Sequence, residues 1–69
     1  MSTTETLALA RAEIHDAVAA YDEPQRRHQC AHAARSYAAT VLLADDATDA
    51  QRRDARCYLD DAVAMLTTT

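Results

Sequence analysis

Residues 23–46 read EPQRRHQCAHAARSYAATVLLADD, and this stretch decides the fold. Pro24 biases Glu23 away from helical angles and is itself suited to the first position of a helix. From Pro24 to about Leu43 no further proline and no glycine interrupts the chain, and alanine, the best helix former, recurs throughout. Cys30 or Ala31, Ala34, Tyr37 or Ala38, Val41 and Leu42 recur at spacings of three and four, the period of one helical face. The first half of that face is small and the second half large. A neighbouring helix is expected to approach closely near Ala31 and Ala34, and to be gripped by Tyr37, Val41 and Leu42.

The same stretch is the basic part of an acidic chain. It holds Arg26, Arg27 and Arg35, with no acid between Pro24 and Ala44. Before it, Arg11 stands against Glu5, Glu13, Asp16, Asp22 and Glu23; after it, Arg52, Arg53 and Arg56 stand against Asp45, Asp46, Asp49, Asp54, Asp60 and Asp61. The segments therefore carry about −4, +3 and −3, which gives the net −4.

Helices are expected on both sides. Ser2-Thr3-Thr4-Glu5 fits a capping box, in which the Ser2 hydroxyl and the Glu5 carboxylate satisfy free amides at the first turn. Leu7, Ala10, Ile14, Ala17 or Val18, and Tyr21 form the apolar stripe of a helix over about 3–21. Downstream, either Asp46 with Asp49 or Thr48 with Gln51 can cap a third helix over about 47–66, with Ala55, Tyr58, Leu59, Ala62, Met65 and Leu66 on its stripe. Residues 67–69 are expected to fray. Short breaks make successive helices antiparallel neighbours. The expectation is one all-α domain over 1–69, a small three-helix antiparallel bundle with helices at about 3–21, 24–43 and 47–66. In that register His32 of the second helix lies level with Glu13 of the first, and His28 with Ala17, close to Asp16. Arg26 and Arg27 come near Asp60 and Asp61 of the third.

The core available to this bundle is thin. Half of the 34 hydrophobic residues are alanine, only ten are Leu, Ile or Val, and there is no Phe or Trp. Chains this short often need a staple, a metal or a partner, so helix-on-helix association, with itself or with another protein, is expected.

Several classes are excluded or disfavoured. With no glycine at all there is no P-loop, dinucleotide-binding loop or nucleophile elbow. The acidic balance disfavours nucleic acid and anionic membranes as partners. No apolar run is long enough to span a bilayer and the first residues lack signal-peptide features, so a cytoplasmic protein with Cys30 and Cys57 as reduced, buried free thiols is expected; of the two, Cys30, beside Arg27 and His28 near a helix N-terminus, is the better candidate for a reactive thiol. Arginine as the sole basic residue beside Lys-free, Ala- and Asp-rich composition suggests high-GC coding, bacterial or phage.

Three readings of function follow. The first is a non-catalytic, cofactor-free helical interaction or regulatory module that binds another protein and self-associates. Its candidate surface is Arg26, Arg27, Cys30, Ala31 and Arg35. The second is a metal-binding bundle using His28 and His32, whose i, i+4 spacing sets two imidazoles on one helical face. The third is an acidic mimic of nucleic acid using Asp45, Asp46, Asp49, Asp54, Asp60 and Asp61.

Overall fold

A computed structural model describes residues 1–67; residues 68 and 69, part of the terminus expected to fray, lie outside the described residues. Three helices are present, α1 (Thr3–Ala19), α2 (Pro24–Leu43) and α3 (Asp49–Thr67). α2 packs densely on both of its neighbours, whereas α1 and α3 touch much less. The start of α1 lies at the start of α3: Thr3 Oγ1 donates to the Asp46 carboxylate, and Gln51 Nε2 donates to Thr4 Oγ1 at 3.1 Å. The arrangement is therefore up-down-up, the antiparallel three-helix bundle expected from the sequence.

The helix starts follow from local chemistry. Ser2 Oγ accepts from the Glu5 amide at 3.1 Å, the first half of the capping box. Thr6 is buried, and its hydroxyl donates to the Ser2 carbonyl at 2.9 Å, so the one buried polar residue among those described is satisfied. At α3 the choice falls to Thr48 and Gln51. The Gln51 amide donates to Thr48 Oγ1 at 3.1 Å and the Thr48 amide donates to Gln51 Oε1 at 2.9 Å, a full reciprocal box. That makes Thr48 the cap and starts the helix at Asp49, two residues later than expected.

The helix ends have a different solution. Helices commonly finish on a glycine in the left-handed region, which this chain cannot supply, and no residue here has positive φ among those described. Neither α1 nor α2 has a basic residue in its last turn. Arginines of the following helix serve instead. Arg27 donates to the Tyr21 carbonyl at 3.2 Å and Arg52 donates to the Ala44 carbonyl at 2.9 Å. At each turn an arginine of the next helix, Arg27 or Arg52, thus holds a carbonyl of the chain before it.

The core is built of alanine. Ala10, Ala17, Ala31, Ala34, Ala38, Ala55 and Ala62 are completely buried, and Val41 is the largest side chain that is. Leu7, Tyr37, Leu42, Tyr58 and Leu59 pack half-buried against the cluster around Val41, while Ile14, Ala34 and Ala62 form a second cluster flanked by Tyr58 and Met65. These are the expected stripes, with one correction. α1 stops at Ala19, short of the expected 21, and Tyr21 is 75% exposed rather than part of the stripe. Ala20 already leaves helical geometry with ψ of 33°, so the chain turns before Tyr21 can reach the core.

Candidate functional site

The side of the bundle away from α2, where α1 and α3 diverge, is open. A groove of about 480 Å³ runs there, lined by Thr4, Leu7, Ala8, Arg11, Ala12 and His15 of α1 and by Asp54 and Tyr58 of α3. Its position follows from the packing. Alanines let both outer helices sit close on α2, but no large residue fills the wedge left between them. Leu7 and Tyr58 form an apolar floor, partly buried against the core. Ala8 and Ala12 leave the α1 lip low. Arg11 and His15 stand on one lip and Asp54 on the other, and all three are exposed. Among the described residues the only ion pairs are Arg26 with Glu23 at 3.9 Å and Arg56 with Asp60 at 3.5 Å, so Arg11 and Asp54 have no charged partner among them. Val18, 60% exposed, continues the α1 lip one turn beyond His15.

The surface expected on α2 is less concerted. Arg26 and Arg35 are exposed, Cys30 is half-buried, and Ala31 is completely buried beneath them, out of reach of any partner. Arg27 is engaged by the Tyr21 carbonyl and Arg26 by Glu23, so the expected cross-bundle pairing with Asp60 and Asp61 does not form. The reason is reach: each arginine finds an acceptor in its own turn before it can cross to α3. A depression of about 310 Å³ beside Arg26 is lined by Glu23, Pro24, Gln25 and Gln29, all exposed and polar or small.

The thiols are free, and they differ from the expectation that both are buried: Cys57 is exposed and Cys30 half-buried. Cys30 lies beside Glu13 and Asp16 of α1. Burial pushes its thiol pKa up, and the Glu13 carboxylate, which also accepts its hydrogen bond, and Asp16 push the same way against a smaller opposing effect of Arg26. A thiol held protonated is a poor nucleophile at neutral pH, which sets aside Cys30 as the reactive group its neighbours Arg27 and His28 suggest.

His28 and His32 do come together. Their Nε2 atoms are 3.1 Å apart, with the rings edge to face and centroids 4.6 Å apart. Both are exposed. Among the described residues no group of three or more His, Cys, Asp or Glu side chains is placed to hold a metal ion. No helix among them is long and apolar enough to cross a membrane.

The α1–α3 groove is the feature that sequence reasoning missed. The only trace of it was the spacing of Thr4, Ala8, Arg11 and His15, one face of α1 that carries no large apolar residue before Val18. Comparison of the chain with family models, with curated proteins and with solved structures finds no match.

Proposed function

We propose that this chain is a small, non-catalytic helical interaction module that associates with a second copy of itself through the groove between α1 and α3. The observation that carries the reading is that groove: an apolar floor of Leu7 and Tyr58, open along its length, with unpaired charges of opposite sign on its two lips. A two-fold axis running along the groove lays α1 of each copy over α3 of the other. Arg11 then comes within side-chain reach of the partner's Asp54 on both sides, so the lips are self-complementary. The thin core supports the same reading. With Val41 its largest fully buried side chain, the monomer buries little beyond alanine, and a symmetric partner adds apolar burial at Leu7, Tyr58 and Val18.

The acidic-mimic reading is not taken further, because Arg52, Arg53 and Arg56 interleave with the aspartates of α3 and Arg56 pairs with Asp60 at 3.5 Å. The interaction reading is tested with Ala12→Arg, which fills the groove from an exposed helical position where arginine is almost as good a helix former as alanine. Light scattering across a concentration series is expected to find a dimer for the parent chain and a folded monomer for the variant. A parent chain monomeric throughout overturns the reading.

A further inference from the structure

We propose that His28 and His32 chelate one divalent metal ion of the imidazole-preferring class, Cu²⁺, Ni²⁺ or Zn²⁺, and that the ion staples the first turns of α2. The geometry carries it. Spacing of i, i+4 brings two histidines onto one face, but here the two Nε2 atoms also converge to 3.1 Å. With metal–nitrogen bonds of about 2.0–2.1 Å, that separation subtends an angle of roughly 98° at a shared ion. The value is near the right angle between adjacent ligands of a square-planar or octahedral ion and short of the tetrahedral angle. Imidazole is a suitable ligand for all three ions.

In the metal-free pair one Nε2 carries the proton and the other accepts it. When both ligate the ion, the donor ring's proton moves from Nε2 to Nδ1 by tautomerisation through water, so a neutral pair loses no proton. The remaining positions belong to water, because no third ligand lies in reach among the described residues. The location gives the chelate a consequence. α2 begins without a side-chain cap on Glu23, its first turn carries no acid, and Arg26 and Arg27 oppose the helix dipole there. Residues 26–34 also offer the core only alanine and Cys30. A bidentate ion bridging positions 28 and 32 pins the least secured turn of the bundle, and the carboxylates of Glu13 and Asp16 on α1, close enough to act on Cys30, offset its charge.

The test is calorimetric titration of the full chain with Ni²⁺ alone, which unlike Cu²⁺ is not reduced by the two thiols. Parent chain and Cys57→Ser, which removes the exposed thiol as an alternative ligand, are expected to bind one Ni²⁺ per chain. His28→Ala and His32→Ala, both at exposed positions that leave the fold intact, are each expected to weaken binding at least tenfold. Amide exchange over residues 25–33 is expected to slow on Ni²⁺ addition in the parent chain only. No Ni²⁺ binding by the parent chain, or equal binding by the His28→Ala/His32→Ala double variant, overturns the proposal.

Discussion

At the scale of single residues, the two cysteines separate two environments that the sequence presents alike. Each sits on a helix among alanines and arginines, and a buried free thiol is expected at both positions. Cys57 is exposed, while Cys30 leans on α1 and its thiol donates a hydrogen bond to Glu13. Alkylation at neutral pH is expected to modify Cys57 well before Cys30, read by mass spectrometry of time points on the Cys30→Ser and Cys57→Ser variants. Glu13→Gln is expected to speed Cys30 several-fold, because it removes both the negative charge and the charged hydrogen-bond acceptor that hold the thiol protonated; an unchanged rate counts against that cause. The pH sign follows. The folded pKa of Cys30 lies above its ordinary value of 9.0, so its contribution to stability is full below that value and is lost as pH rises through the folded one.

The helices themselves were legible because their boundaries are written in local chemistry. Pro24 starts α2, Ser2 caps α1, and the Thr48–Gln51 box starts α3, all from residue types with few alternatives. Thr48→Ala is expected to cost about 1 kcal/mol, read as a lower midpoint in a urea melt followed by circular dichroism. What the sequence did not disclose were the helix ends. Without glycine the usual stop signal is missing, and the arginine that replaces it comes from the next helix, six residues on for Tyr21 and eight for Ala44. The stripes were legible only in part for a related reason: alanine lies on every face, so periodicity names the buried line but not its edges. Those buried alanines fix the helix separations. Ala38→Leu, which forces a large side chain into the contact around Val41, is expected to cost roughly 1–3 kcal/mol, and Val41→Ala roughly 2 kcal/mol. Both are read from the same melts, and a neutral Ala38→Leu contradicts the tight packing described.

For the whole molecule, the legible part is the order of the helices and the missing part is how they splay. Length and composition dictate a thin core, but whether α1 meets α3 depends on how each seats on α2, which no local pattern records. The open α1–α3 side is the result, and the self-association account stands on it. Arg11 and Asp54 provide its most direct test, since each lacks a charged partner among the described residues and the proposed two-fold places them opposite each other. Arg11→Asp and Asp54→Arg should each weaken the dimer about tenfold, as two lip contacts per dimer turn from attractive to repulsive at up to ~1 kcal/mol each. An equimolar mixture of the two variants restores both contacts in the heterodimer. Sedimentation equilibrium of each variant alone and of the mixture is the decisive measurement. The account predicts weakened association for each alone and parental association for the mixture; a mixture no tighter than its components would contradict it.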